Sequence, residues 1–437
     1  MSHSNSTIVL NDKKTIRAWS LFDWANSAYA LVISTAVFPA YYEAVTPEEV
    51  EVLGYSMYSS ALFSFAVSFS FVLVALFSPF LSGMADYGGK RMLFLKIFTT
   101  IGGISCAAMF FFKDASWMWF GTWAFVLATL GYAGGIVFYN SYIPIIATKD
   151  QYDKVSAQGF AYGYFGSVLL LLFVLFMIQK PEVFGITDTS LPPRIGFLLV
   201  GVWWIAFAQL TFRYLPKDRE GPIPPNILKR GYDELKEVAK RVRNNKNVSR
   251  FLISFFFFSA GVQTVIYLAS IFAKKEVGFT TSDIILVVLI LQLLAIVGAY
   301  LFAFISRKYG NKVSISIMLV IWAFICFVAC FTYGKINFYI LSAFVGMVMG
   351  GIQSQARSGY AKMLEKDEKD ITSYFSFYDV VYKVSVVAGT FIFGFIEIIT
   401  NSMRYSFLTL SILFIIGFIV LMGVDFGDRN RVGEIEK

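Results

Sequence analysis

"SDIILVVLILQLLAIVGAYLFAFI", residues 282–305, carries one charge, Asp283, at its edge and none in the 22 residues that follow. A helix rises about 1.5 Å per residue, so such a run reaches across the roughly 30 Å hydrocarbon core of a bilayer. The apolar/polar alternation of a membrane-barrel strand is missing, and the run is too long for one. Eleven more segments read the same way: 18–42, 57–81, 91–112, 117–147, 156–178, 195–215, 250–272, 312–332, 336–359, 372–399 and 404–424. Composition agrees, with 57% hydrophobic residues, 15% charged residues, 47 Phe and a mean hydropathy of +0.65. Soluble domains carry about 25% charged residues. The expected fold class is an all-α membrane protein with twelve transmembrane helices.

Charge placement orients the chain. With the N-terminus placed in the cytoplasm and sides alternated, the cytoplasmic segments hold 29 of the 37 Lys and Arg residues and the external loops hold 7. The last, Lys383, lies inside a span. This is a strong positive-inside asymmetry, and it predicts that both termini are cytoplasmic. The formal charge of +8 therefore reports topology and anionic headgroups, with no nucleic-acid partner implied. The first 17 residues are polar and lack a cleavage pattern behind a short apolar core, so no removable signal peptide is expected.

Several chemistries are excluded. No Walker loop is present, so ATP does not drive the protein. His3 is the sole histidine, which leaves no Ser/His/Asp set, no zinc site and no cofactor-holding Cys/His cluster. Cys106, Cys326 and Cys330 fall within spans and read as packing residues. No enzyme, metal site or cofactor is expected.

The longest polar interruption, 216–249, separates six spans from six. It opens on the Pro/Gly-rich "PKDREGPIPPN" and continues with Leu228, Tyr232, Leu235, Ala239 and Val242 at helical spacing among lysines and arginines. This reads either as a basic amphipathic helix on the membrane surface or as a solvated linker helix. The expected organisation is a bundle over 1–215, a linker over 216–249 and a second bundle over 250–437. An internal repeat supports it. "SGMADYGGKR" (82–91) aligns without gaps with "AFISRKYGNK" (303–312), sharing Gly89 with Gly310 and Arg91 with Lys312, while Asp86 meets Arg307. Two pseudo-symmetric six-helix halves around a midplane site are the arrangement of many secondary transporters.

"SGMADYGGKR" resembles the loop motif of the major facilitator superfamily, with Ser82 where the first Gly is usual. "FDWANSAYA" (22–30), "FYNSYIP" (138–144), "SAQGFAYGYFGSVLLL" (156–171), "FLLVGVWW" (197–204), "GVQT" (261–264), "GGIQSQARS" (350–358) and "YFSFYDVVYK" (374–383) resemble its vacuole-effluxer branch. That branch comprises fungal autophagy-related permeases and the bacterial unknown major facilitator family. The resemblance implies the major facilitator fold, with spans one, four, seven and ten lining a cavity. It also implies a multi-pass protein of a bacterial inner membrane, and amino-acid export as the function of the fungal members. The chain departs from the branch at Ser259-Ala260, where Asn-Asp is frequent, and at Arg307, where the second loop usually has Asp.

The polar residues inside spans are the candidate site. Asp23 lies about 8 Å inside the cytoplasmic boundary. Charges at such depth are costly and are functional candidates. Asn26 and Ser27 share its face, and Tyr29 continues the stripe toward the midplane. Asp23 either faces a wet cavity, snorkels to the interface or caps a neighbouring helix. Asp379 and Lys383 stand i, i+4 in span eleven, with Lys383 about 16 Å deep. They form either a structural pair or a switch in which Lys383 exchanges Asp379 for Asp23. Asn140, Gln263 and Gln353 add amides in spans four, seven and ten, as ligands or as interhelical glue. Arg357, i+4 from Gln353, serves a gate or binds headgroups. Asp86, Lys90 and Arg91 of the loop motif are gating candidates, and the resemblance places Asp86 near the N-terminus of span eleven. An ordinary charged turn is the bland reading of the same loop. Gly159 with Gly163, and Gly346 with Gly350, read as close-packing devices.

The function expected is secondary-active or facilitative transport of a small polar solute by alternating access. An amino acid suits an acid and a base that hold the two ends of a zwitterion. The partners are then the solute, the lipid bilayer and a coupling proton or sodium ion. A lipid scramblase or solute sensor on the same fold, and a proton-coupled importer, are the alternatives.

Overall fold

The computed structural model describes residues 9–52, 54–218, 226–364 and 370–426. His3 and most of the Pro/Gly break lie outside them. Among the described residues twelve helices are long and apolar enough to cross a membrane: Lys13–Val45, Leu62–Gly88, Arg91–Phe111, Ala115–Ile146, Tyr152–Gln179, Leu191–Tyr214, Lys246–Val277, Asp283–Tyr309, Asn311–Cys330, Lys335–Met363, Ile371–Thr400 and Met403–Met422. These are spans one to twelve, and the expected fold class holds.

Two departures have local causes. The first external loop is not wholly irregular: strands β1 (Glu49–Val52) and β2 (Tyr55–Tyr58) pair antiparallel around Gly54, whose φ is +84°. That hairpin delays span two beyond the start at 57 that hydropathy suggests. At its other end span two runs on to Gly88, past the expected 81, because nothing in "SGMADYG" breaks a helix. Gly89 stops it with φ +62°, a left-handed conformation that glycine adopts without a Cβ penalty.

The chain forms two compact units. Unit 1 comprises 1–142 and 162–234, and unit 2 comprises 143–161 and 235–437. Within unit 1, span two packs on four, and span six packs on one and three. Within unit 2, span eight packs on ten, and span twelve packs on seven and nine. These are corresponding pairs under the internal repeat. An arginine marks the correspondence. Arg194, in the first turn of span six, donates from Nε to the Phe110 carbonyl at the end of span three, at 2.7 Å. Arg404, in the first turn of span twelve, donates to the Cys330 and Thr332 carbonyls at the end of span nine, at 3.1 and 2.8 Å.

Small residues set helix spacing where the sequence suggests. In unit 2, Gly346 and Gly350 face the backbone of Leu291 and Ala295 of span eight. In unit 1, a Cβ at Gly163 would stand 2.5 Å from Ser27 Oγ, so span five lies directly on the polar face of span one. Cys106, Cys326 and Cys330 are buried free thiols, as the packing reading requires.

Candidate functional site

In unit 1 the site is built on span one. Asp12 starts the helix by accepting from Thr15 N at 2.9 Å. Asp23, buried about three turns later, does not snorkel: its Oδ2 accepts from Tyr139 Oη at 2.8 Å. Trp19 fixes that phenol, stacking on its ring at 4.4 Å between centroids and donating from Nε1 to the Tyr139 carbonyl at 3.0 Å. Phe22 also stacks on that ring, at 4.8 Å between centroids. Sequence reading singled out Asn140 and missed its neighbour Tyr139; Asn140 itself is buried. A tyrosine in an aromatic-rich helix carries no signal that it faces a carboxylate 116 residues away.

Asn26 is 1% exposed, and its Nδ2 has no hydrogen-bond partner among the described residues. A buried donor left unpaired costs about 1–3 kcal/mol. Tyr29 pairs with Thr129 of span four at 2.6 Å. The Thr129 hydroxyl already donates to the Phe125 carbonyl at 2.9 Å, so the tyrosine is the donor. Its hydroxyl is thus engaged in interhelical pairing. From Tyr29 to Val37 span one changes to a π-helix, with Thr35 Oγ1 donating to the Ala30 carbonyl at 2.7 Å. π-Turns are rare and concentrate at functional sites. Hydropathy does not reveal one.

The loop motif also belongs to unit 1. The Asp86 carboxylate is buried and accepts from Arg91 at 3.0 Å. Arg91 in turn lies over the Tyr142 ring at 5.7 Å. Lys90 is the N-cap residue of the span-three helix and gives no side-chain cap. Asp218, from the start of the linker, supplies one, accepting from the backbone N of Met92 and Leu93 at 2.7 and 2.8 Å. Loss of an N-cap costs about 1 kcal/mol. Asp218→Ala is therefore expected to lower stability by about that amount, measured as the shift in thermal midpoint in detergent.

In unit 2, Asp379 and Lys383 are hydrogen-bonded to one another and both are buried. Aromatic rings wall the same helix: Tyr378 stacks on Phe255 at 4.1 Å and on Tyr360 at 5.1 Å. Gln263 is buried and Gln353 half-buried. Arg357 corrects the headgroup reading. It is 3% exposed, donates from Nε to Ser156 Oγ at 2.9 Å and from a terminal nitrogen to the Ser156 carbonyl at 2.8 Å, and lies over Phe160 at 4.2 Å. Among the described residues no cluster of three His, Cys, Asp or Glu has metal-binding geometry.

The profile of the family described as "Vacuole effluxer Atg22 like" matches residues 11–432. The chain belongs to that Atg22-like family. It is 26% identical over 411 residues to "Uncharacterized MFS-type transporter YxiO" of Bacillus subtilis, covering 93% of this chain and 94% of that one. It is 23% identical to "Autophagy-related protein 22" of Saccharomyces cerevisiae, covering 86% and 80%. Among solved structures it resembles the major facilitator transporter FucP, with TM-score 0.72, 10% identity and coverage of 94% and 99%. It resembles the human organic anion transporter MFSD10 equally, with TM-score 0.72, 12% identity and coverage of 94% and 100%. This Atg22-like protein is an integral multi-pass membrane protein of the major facilitator superfamily, a transporter and not an enzyme.

Proposed function

We propose that this chain exports a small zwitterionic solute, an amino acid, by alternating access. The observation that carries the reading is a set of ionisable side chains kept inside apolar spans: Asp23 held by the Tyr139 phenol in unit 1, and the Asp379–Lys383 pair in unit 2. Buried charges of this kind are expensive, and in membrane proteins they mark solute or ion pathways. Asp23 is assigned to the ammonium end of the solute and Lys383 to the carboxylate end. Asn26, with its unpaired Nδ2, adds a donor for a carbonyl or carboxylate oxygen. Tyr29, Asn140, Gln263 and Gln353 are assigned to orientation of the solute. Asp86, Lys90, Arg91, Arg357 and Asp379 are assigned to gating. A division into two six-span halves joined by the linker, both termini cytoplasmic in a bacterial inner membrane, and a proton or sodium ion as coupling partner complete the proposal.

Asp23→Asn is the direct test. Asparagine keeps an oxygen for the Tyr139 hydroxyl while losing the charge and exchanging the other oxygen for an amide donor, so the thermal midpoint is expected to stay within a few degrees. Counterflow of labelled amino acids in proteoliposomes is expected to fall at least tenfold. Unchanged flux would remove Asp23 from the pathway. Lipid movement with no solute flux from the unaltered protein would replace the reading with scrambling. A thermal-shift screen against amino acids, sugars, nucleosides and organic acids identifies the solute, because a ligand of the folded state raises stability by mass action.

A further inference from the structure

The linker helix, Ile227–Asn244, lies against the end of span two. Two glycines make the contact. An added Cβ at Gly83 would stand 2.2 Å from the Gly231 carbonyl oxygen, and one at Gly231 would stand 2.8 Å from the Met84 backbone N. Backbone therefore meets backbone, and the helix is held level with the last turns of span two, at one surface of the bilayer. Val238, two turns on from Gly231 along the same side, is fully buried.

The outward side is sorted by charge. At about 100° per residue, Leu228, Ala239 and Tyr232 fall along one edge, and Arg243, Lys236, Lys229 and Lys240 follow them with no acid between. Leu228 is 59% exposed and Tyr232 53%, and the four bases are exposed as well. The acids of the helix, Asp233, Glu234 and Glu237, lie farther round, on the flank that carries Arg230 and Arg241. The bases of that flank are engaged by the protein: Arg230 lies over the Tyr87 ring at 6.0 Å, and Arg241 pairs with Asp370. A solvated helix gains nothing from an apolar edge bordered by bases alone. An anionic membrane surface accommodates both parts. Apolar side chains enter the acyl boundary, while the long stems of lysine and arginine leave their charges among the phosphates.

We propose that this strip is a binding site for anionic phospholipid headgroups. Leu228 and Tyr232 enter the acyl boundary, and Lys229, Lys236, Lys240 and Arg243 take the phosphates. Of the two sequence readings of 216–249, the membrane-surface helix is the one that the exposed side chains fit. Occupancy depends on the charge of the lipid and is independent of any transported solute. Each base near an anionic surface contributes about fivefold in affinity. The attraction falls off over about 10 Å at 0.1 M salt and about 3 Å at 1 M.

The test is fluorescence anisotropy of a short-chain phosphatidylglycerol carrying a nitrobenzoxadiazole label, titrated with the purified full chain in neutral detergent. Unlabelled phosphatidylglycerol is expected to displace the probe, and phosphatidylcholine with the same chains is not. Lys229→Gln with Lys240→Gln is expected to raise the half-saturating concentration at least tenfold. The control, Lys113→Gln with Lys180→Gln, makes the same change of charge at exposed bases beyond the opposite ends of the spans and is expected to leave binding unchanged. Raising salt to 1 M should release the probe from the unaltered chain, a reading that needs no substitution. Equal displacement by phosphatidylcholine would overturn the proposal, as would equal losses in the two double variants or binding that ignores salt. Displacement by glycerol phosphate as effective as that by the lipid would assign the strip to a soluble anion and also overturn it.

Discussion

Lys383→Met is expected to abolish transport and, separately, to cost about 3 kcal/mol of stability. The two losses have different origins. Lys383 is 5% exposed, and its bond to Asp379 supplies the counter-charge of a carboxylate that is itself 7% exposed. Removing one member of a buried pair strands the other, which typically costs about 3–5 kcal/mol. Methionine fills most of the volume, so lost packing adds little. The double variant Asp379→Asn with Lys383→Met strands no charge and is expected to recover most of the stability while remaining inactive. Thermal unfolding in detergent reads the first quantity and proteoliposome flux the second. A double variant that transports at the normal rate would show that the pair only neutralises itself. A single variant as stable as the parent would show that the pair is open in the folded protein.

Gly298→Val should be at least as damaging, with no role for charge. The α-hydrogen of Gly298 points at the Met347 backbone, so that any Cβ would fall inside the carbonyl oxygen. Gly350 has the same relation to the Ala295 carbonyl one turn away. Overpacking usually costs about 1–3 kcal/mol, because side chains shift to make room. Here the obstacles are backbone atoms of two long helices, which move only if the helices separate. Separation would forfeit the span eight–span ten contact along its length. The expectation is a loss of about 3 kcal/mol or more and little folded protein in the membrane fraction. Gly394→Ala is the matched control: nothing lies within 4 Å of its added Cβ, and its thermal midpoint should be unchanged or raised. Equal behaviour of the two variants would mean that spans eight and ten are not in contact as described.

Much of the site was legible one residue at a time. Asp23, Asn26, Arg357, Asp379 and Lys383 are conspicuous because polarity inside an apolar run is expensive wherever the chain goes. Their partners were not legible. Asp23 meets a tyrosine, Arg357 meets a serine of span five, and the linker's Asp218 caps span three. Each of these contacts joins positions more than a hundred residues apart, and tyrosine and serine are common enough in spans to give no warning. Asp153, buried and paired with Lys362, carries no such signal either, because beside Lys149, Asp150 and Lys154 one more charge reads as solvated loop.

The sequence by itself determined that the chain is helical, that it crosses a membrane twelve times, and that its halves are related. Apolar run length and loop spacing are local or additive properties, and the bilayer as solvent turns long apolar runs directly into spanning helices. The tertiary structure decided which buried charge is neutralised by which group, where span one widens into a π-helix, and that the first turn of span five is seated in unit 2. Those outcomes depend on the pairing of particular side chains across packed helices. Such pairings are set by geometry that no periodicity along the chain encodes.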